Sequence, residues 1–144
     1  MNKEIRTEIE IDAPASRVWA VLTDFDGFQR WNPFVTRVSG DLRVGNTLRI
    51  EVHIPGGSNM KFAPTVLAAD PDRELRWVGS LPFGAFRGEH FYLIEPISDD
   101  RVRFVHGEHF SGWAVGLIWR IQGAKIEASY RLMNEAIKTE AEKC

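Results

Sequence analysis

Hydrophobic and polar residues alternate along the start of the chain. Ile5, Thr7, Ile9 and Ile11 are separated by charged residues, and a period of two is typical of a strand with one buried face. Similar strand patterns, interrupted by Gly, Pro and Asp turns but by no helix, predict further strands over the ranges 35–39, 48–54, 60–69, 75–79, 87–95 and 102–110. Such closely spaced strands indicate an antiparallel sheet of about seven strands.

The helical period occurs in two places. Ala13-Pro14 begins a short helix, and a second short piece ends before Pro33, because the residue before proline resists the helical conformation. The range 124–144 consists almost wholly of good helix formers, with one apolar stripe of Ile126, Tyr130, Met133 and Ile137. Roughly twenty helical residues span about 30 Å. The pattern therefore predicts an α+β fold in which a curved sheet wraps around a long C-terminal helix, with two short helices after strand 1.

Composition narrows the function classes. A chain of 144 residues is expected to form a single domain over 1–144. A formal net charge of -2 without a basic stripe gives no reason to expect nucleic acid or an anionic membrane surface. The apolar run 113–119 is too short to span a bilayer, which argues against membrane insertion. A polar amino terminus unlike a signal peptide and the single Cys144 favour a reducing cytoplasm.

The last predicted hairpin carries the candidate chemistry. Its even-numbered positions share one face, and the phenylalanines among them indicate that this face points inward: His90, Tyr92, Phe104, His106, Glu108 and Phe110. A three-residue turn would pair His90 with Glu108 and Tyr92 with His106. A register shifted by two would instead pair Tyr92 with Glu108. Either way, an acid, two imidazoles and a phenol meet within an aromatic lining, and Glu108 is predicted to contact His90.

Several interpretations of Glu108 and His90 remain open. They could satisfy each other as a buried polar pair that sets strand register. They could also orient a ligand in an apolar pocket, or perform general acid–base catalysis. Together with His106 they total three conceivable zinc ligands, but the spacing matches no metal motif, so no metal is expected. No phosphate loop or nucleophile motif suggests a cofactor either.

Two apolar segments flank this hairpin. The loop 79–88 is rich in glycine and phenylalanine and is either a plain connection or a mobile entrance formed by Leu81, Pro82, Phe83 and Phe86. The run 113–119 leads towards the long helix, and burial is expected for it rather than a role at an entrance or a dimer contact.

Several segments resemble the SRPBCC, or START-like, superfamily, most closely its bacterial polyketide cyclase/dehydrase and lipid-transport members. The similarity lies in the ranges 11–25, 31–34, 75–77, 88–90, 106–112 and 133–137. The resemblance implies a helix-grip fold with an apolar cavity between sheet and helix. The cavity residues expected on this basis are Trp77, His90, Tyr92, Phe104, His106, Glu108, Phe110, Ile126, Tyr130 and Met133.

Three functions are compatible with this fold, because a fold does not settle an activity. The first is binding of a small hydrophobic or aromatic ligand, lipid- or polyketide-like, by a monomer or weak homodimer. The second is a polyketide cyclase/dehydratase-like enzyme that uses the same cavity. The third is a protein-interaction module without a small ligand. Mutually satisfied polar groups would favour binding, groups facing empty space would favour catalysis, and a filled core with an external apolar patch would favour interaction.

Overall fold

A computed structural model describes residues 2–54, 56 and 59–143. Cys144 and most of the predicted turn 55–58 lie outside the described residues. In chain order, the elements are β1 (Asn2–Ile11), α1 (Ala15–Thr23), a 3-10 turn (Phe25–Gly27), α2 (Phe28–Trp31), β2 (Val35–Ser39), β3 (Arg49–His53), β4 (Asn59–Phe62), β5 (Thr65–Asp70), β6 (Glu74–Leu81), a 3-10 turn (Pro82–Gly84), β7 (Phe86–Ser98), β8 (Arg101–Ser111) and α3 (Val115–Ala141).

The strands form two antiparallel sheets. The larger has the order β1-β8-β7-β6-β5, and the smaller has the order β2-β3-β4. Helix α3 packs against β1 and β8, and α1 and α2 also contact it. The predicted helix-grip architecture, including the two short helices after the first strand, is therefore confirmed.

The core lies between α3 and the larger sheet. The predicted stripe on α3 faces inward: Tyr130, Met133 and Ile137 are fully buried, while Ile126 is half-buried. Across from them, the inward positions of β1 carry Ile5 and Ile11. This burial of the apolar stripe is the main favourable term that holds a long helix on a sheet.

Two predicted boundaries were wrong. The predicted strand 60–69 is two strands, because Pro64 lacks the N–H that a continuous ladder requires. This division gives eight described strands rather than about seven. The long helix begins at Val115 and not at Ala124. Its first turn is anchored by the buried side chain of Val115, and buried Gly123 lies against the Trp119 ring.

The expected burial of the run 113–119 was also wrong in part. Val115 is buried, but Trp113 is 74% exposed and Leu117 is 63% exposed. The helical period explains the exposure of Leu117, because one side of an exposed helix necessarily points away from the sheet, whereas Trp113 lies in the turn before α3. Among the described helices, none combines the length and hydropathy needed to cross a bilayer.

Candidate functional site

The register of the last hairpin places the candidate residues side by side. Strands β7 and β8 pair His90 with Glu108 and Tyr92 with His106, as the three-residue turn predicts. The neighbouring strand β6 adds Trp77, which pairs with His90. The predicted contact is confirmed, since His90 Nδ1 lies 3.3 Å from Glu108 Oε1.

A continuous set of polar contacts runs from β1 to Glu108. Asn134 on α3 donates from Nδ2 to Thr7 Oγ1 at 2.8 Å, and its Oδ1 lies 2.9 Å from His106 Nδ1. His106 Nε2 lies 2.7 Å from His90 Nε2. At the far end, the Tyr130 hydroxyl donates to Glu108 Oε1. We call this set the polar chain, with the members Thr7, Asn134, His106, His90, Glu108 and Tyr130.

The partners in the polar chain determine where its protons lie. The Thr7 hydroxyl donates to the His106 carbonyl oxygen at 2.7 Å, so its oxygen is left to accept from Asn134. Asn134 Oδ1 therefore faces His106, and His106 Nδ1 must carry a hydrogen. In a neutral His106 the Nε2 atom is then bare and accepts the hydrogen of His90 Nε2.

The contact between His90 Nδ1 and Glu108 Oε1 depends on where the nearest proton lies. With its hydrogen on Nε2, neutral His90 would present a bare Nδ1 to the carboxylate of Glu108. Two bare acceptors at this distance repel each other in a buried site. A proton placed between the two, either on His90 as an imidazolium or on Glu108 as a carboxylic acid, would remove this repulsion.

Burial keeps the surrounding groups in their neutral forms. Burial lowers the pKa of His106 well below its ordinary value, and the charge of His90 lowers it further, against the opposing hydrogen bond to Asn134. Burial also raises the pKa of Tyr92 and of Tyr130, and the charge of Glu108 adds to both effects. Both phenols consequently keep their hydroxyl hydrogens at neutral pH, and Tyr130 donates its hydrogen to Glu108.

Aromatic rings fill the space around the polar chain. His106 stacks on Tyr130 at 4.4 Å between centroids with an interplanar angle of 6°. Tyr92 stacks on the other imidazole, His90, at 4.8 Å, and Phe34 covers Tyr130 at 5.1 Å. The side chains expected to line a cavity thus contact one another, and the deepest of them have no exposed surface: Tyr92, Phe104, His106 and Met133.

The best-formed pockets of the described residues lie elsewhere. One, of about 350 Å³, adjoins the paired ends of β1 and β8, between Asn2 and Ser111. The other, of about 220 Å³, lies on α3 beside Ala128 and Leu132. Neither includes a member of the polar chain. The ring contacts and the complete burial of Tyr92, Phe104 and His106 show that the protein's own rings occupy the region of the expected cavity.

Glu108 is the one member of the polar chain with a free acceptor near solvent. Its side chain is 14% exposed, and its Oε2 atom accepts no hydrogen bond from the described residues. The carboxylate lies on the backbone of Gly88, where an added Cβ would stand 2.1 Å from Oε2. Close to Gly88, Phe86 packs on Phe110 at 5.8 Å, and Trp119 meets Phe110 edge-on at 5.6 Å. The free oxygen thus lies near a cluster of aromatic rings.

The predicted entrance loop divides into two parts. Leu81, Pro82 and Phe83 are exposed, and the Phe83 ring is 95% exposed. Phe86 is half-buried against Phe110. The motion of this loop stays a prediction, as does the ligand-binding role of the cavity residues.

Sequence reasoning missed Thr7, Asn134, Phe34 and Gly88. Thr7 occupies an inward position among isoleucines, and Asn134 lies one turn after Tyr130, so strand and helix periods held a signal for both. Phe34 and Gly88 carry no such signal, because their contacts with the cluster arise only through the fold. Among the described residues, no group of three or more His, Cys, Asp or Glu side chains is arranged to hold a metal ion.

Solved structures share this fold at low sequence identity. The ZhuI aromatase/cyclase from Streptomyces sp. R1128 is 18% identical with a TM-score of 0.80, over 99% of this chain and 94% of that one. A START superfamily protein from Mycobacterium smegmatis is 16% identical with a TM-score of 0.72, over 96% and 97%. Norcoclaurine synthase from Thalictrum flavum, in complex with dopamine and hydroxybenzaldehyde, is 15% identical with a TM-score of 0.74, over 100% and 90%.

Sequence comparison identifies the family directly. No curated protein sequence matches this chain. The sequence profile of the family described as polyketide cyclase / dehydrase and lipid transport matches residues 3–142, which is nearly the full length. The chain therefore belongs to the polyketide cyclase/dehydrase and lipid transport family.

Proposed function

We propose that this protein binds a small hydrophobic or aromatic ligand, lipid- or polyketide-like, that donates a hydrogen bond to Glu108. The observation that carries the proposal is the Oε2 atom of the partly exposed Glu108 side chain, which accepts no hydrogen bond from the described residues, while Oε1 accepts from Tyr130 and lies 3.3 Å from His90 Nδ1. Apolar pockets with a few convergent polar groups are the usual form of small-molecule sites. Family membership supports a ligand-binding or polyketide-cyclase role.

The filled interior assigns different roles to the predicted cavity residues. Tyr92, His106 and Met133 are fully buried and would hold Glu108 in place without touching a ligand. The ligand would enter between Phe86 and Phe110, whose rings pack on each other beside the carboxylate. Phe86 is half-buried and is the first residue of β7, and a strand end can open at a modest cost in free energy. The groups of the polar chain satisfy each other, which favours binding over catalysis.

Two naphthalene probes test the hydrogen bond directly. 2-Naphthol carries an O–H donor that 2-methoxynaphthalene lacks, while the aromatic surfaces are closely matched. A hydrogen bond to a charged acceptor contributes about 1.5–3 kcal/mol, so 2-naphthol should bind roughly tenfold to a hundredfold more tightly. Titration calorimetry with the purified protein measures both dissociation constants.

Glu108→Gln should abolish most of this preference, because the amide can present N–H₂ where the carboxylate presented Oε2. Glu4→Gln is the matched control, since Glu4 is an exposed carboxylate that also lies near a histidine. Equal affinities for the two probes in the unaltered protein, or an unchanged preference in Glu108→Gln, would contradict the proposal. Mass spectrometry of molecules that co-purify after gentle extraction would identify the native ligand class.

A cyclase-like enzyme is the second candidate, and the close approach of His90 Nδ1 to Glu108 Oε1, 3.3 Å, is the observation that favours it. An ionised Glu108 could take a proton from a carbon between two carbonyl groups, leaving the bonding electrons in an enolate. Deuterium exchange into 1-phenylbutane-1,3-dione, followed by NMR, detects that step. Catalysis requires faster exchange with the unaltered protein than with Glu108→Gln, and equal rates would remove this candidate.

The setting of the protein is the remaining part of the proposal. We expect a single domain from the chain length, no nucleic-acid partner from the charge balance, and a cytoplasmic location from the lone cysteine. We expect the protein to act as a monomer or weak homodimer. Sedimentation velocity over a range of protein concentrations distinguishes the monomer from the dimer. An apolar patch on the surface bears on the interaction-module alternative, and what covers that patch is considered next.

A further inference from the structure

Five large apolar side chains are exposed near one end of the molecule. They come from the end of β6 and the 3-10 turn after it, and from the turn before α3 and the start of α3: Leu81, Phe83, Trp113, Leu117 and Ile121, between 53% and 95% exposed. We call this group the apolar tip. Its two segments are joined directly, because Trp113 Nε1 donates to the Phe83 carbonyl oxygen at 3.0 Å and the Ala114 N–H donates to Ala85 at 2.8 Å. Leu117 and Ile121 follow one turn apart on the same face of α3.

Phe83 adopts a conformation that its side chain disfavours. Its φ angle is 64°, in the left-handed region where a bulky residue carries a steric cost. The ring is 95% exposed, so intramolecular burial offsets little of that cost. A strained backbone that presents an apolar ring to solvent is consistent with selection for an external contact.

The charged side chains within the two segments that form the apolar tip are all positive. Arg87, Arg120 and Lys125 are exposed, and the ranges 79–88 and 109–126 contain no Asp or Glu. Three carboxylates border these ranges along the chain: Glu89 pairs with Arg76 at 3.7 Å, Glu127 pairs with Arg131 at 3.7 Å, and Glu108 accepts from Tyr130 and is only 14% exposed. The overall net charge of -2 therefore conceals a locally basic surface.

We propose that the apolar tip and its basic rim dock the protein on an anionic phospholipid surface. Phosphate headgroups complement Arg87, Arg120 and Lys125, and the apolar side chains enter the boundary between headgroups and acyl chains. Trp and Phe are well suited to that boundary because they bury large apolar surfaces. This proposal does not rest on the ligand proposed above, and it concerns surface attachment without a membrane-spanning segment.

A second copy of the chain fits this surface poorly. A two-fold dimer would place the same patch on both sides and bring cations against cations, which is repulsive. A protein partner would need a depression to receive Phe83 and the convex face of α3, whereas a lipid surface deforms around a protruding tip. Charge and shape thus favour the lipid surface.

Co-sedimentation with vesicles tests the docking. The full-length protein is mixed with vesicles of phosphatidylcholine alone and with vesicles containing about 30% phosphatidylglycerol. Binding to the anionic vesicles should be at least about tenfold stronger and should weaken as salt is added. Arg120→Glu with Lys125→Glu should reduce it roughly 30-fold, given about 1 kcal/mol per basic residue near the surface. Phe83→Ser with Leu117→Ser should reduce it at least about tenfold.

Matched controls come from the ends of strands β6 and β7 that lie away from the apolar tip. Ile97→Ser removes an apolar side chain that is 46% exposed, and Arg73→Glu reverses an exposed charge in the turn before β6. Both should bind anionic vesicles within about twofold of the unaltered protein. Thermal melting checks that every variant folds, which is expected because all the replaced side chains are exposed.

Three results would overturn the proposal. The unaltered protein could fail to sediment with either kind of vesicle, and an acidic, apolar protein would then be the partner that the apolar tip binds. The controls could lose as much binding as the tip variants. Sedimentation velocity could reveal a dimer that Phe83→Ser with Leu117→Ser dissociates, which would assign the surface to a second copy. None of these results bears on the preference for 2-naphthol, so the two proposals fail independently.

Discussion

The buried pair of His90 and Glu108 has an exposed counterpart in the same sheet, His109 and Glu4. In the buried pair the two side chains are 9% and 14% exposed, and Nδ1 lies 3.3 Å from Oε1. In the exposed pair they are 48% and 47% exposed, and the same atoms are 3.9 Å apart. Replacing each histidine and each glutamate by Gln, singly and together within a pair, gives two double-mutant cycles that differ mainly in burial.

Burial determines the expected coupling energies. The exposed pair is solvated and screened, so its coupling in the free energy of unfolding should lie below about 0.5 kcal/mol. A proton shared by the buried pair would make their contact a hydrogen bond to a charged group, which contributes about 1.5–3 kcal/mol. Removal of one partner also leaves the other desolvated without its proton-sharing group. The coupling of His90 and Glu108 should accordingly reach about 1.5–3 kcal/mol.

Urea unfolding at pH 7, followed by circular dichroism, measures all the variants. The cycle is needed because His90→Gln alone also breaks the contact with His106, an effect that cancels in the coupling term. In 1 M NaCl the exposed coupling should vanish, whereas the buried coupling should persist. Equal coupling in the two pairs, or loss of the buried coupling in salt, would refute the shared-proton arrangement.

Three further predictions concern stability. Met133→Ala should lower the free energy of unfolding in urea by about 2–5 kcal/mol, because Met133 is fully buried between α3 and the sheet; a loss below about 1 kcal/mol would mean that the site borders open space. Gly107→Ala should lower the melting temperature, because its Cβ would stand 2.2 Å from the Ile5 carbonyl oxygen, while Gly79→Ala, with nothing within 4 Å, is the control. Because the pKa of His106 is lowered in the folded protein, the unfolded chain binds a proton on this imidazole at a higher pH than the folded protein does. The stability that comes from keeping His106 neutral is therefore fully present above about pH 6.5. Below that pH the free energy of unfolding decreases by about 1.4 kcal/mol per pH unit until the pKa of the folded state is reached. Urea unfolding between pH 7 and pH 5 should show that His106→Gln has a smaller pH dependence, and an unchanged slope would contradict the assignment.

The pairing of His90 with Glu108 was one of two registers that the sequence left open, and the structure selects it. Side chains in a strand alternate with a period of two, and a short turn limits the register of a hairpin to a few choices. The phenylalanines on the even-numbered face then identified it as the inner one. The stripe on α3 was predictable for a similar reason, since Tyr130, Met133 and Ile137 repeat with the helical period.

Local patterns predicted element boundaries and exposed faces less accurately where a single residue alters the backbone or where a helix is covered on one side only. Pro64 divides one predicted strand into two, and apolar residues all around the start of α3 concealed which side faces solvent. The exposure of Trp113 and Leu117 depends on where the loop after β6 ends and how it meets the helix. That contact joins residues far apart in sequence, so no local hydrophobic period predicts it.

The sequence by itself determined the strand and helix order, the inward faces and the family resemblance, because these depend on neighbours a few positions apart. The tertiary structure decided that Asn134 and Thr7 complete the polar chain, since they are far apart in sequence and meet only when α3 packs on β1. It also decided that aromatic rings fill the expected cavity and that one oxygen of Glu108 remains free. Packing in three dimensions sets these distances, and hydrogen-bond chemistry responds to differences of less than 1 Å.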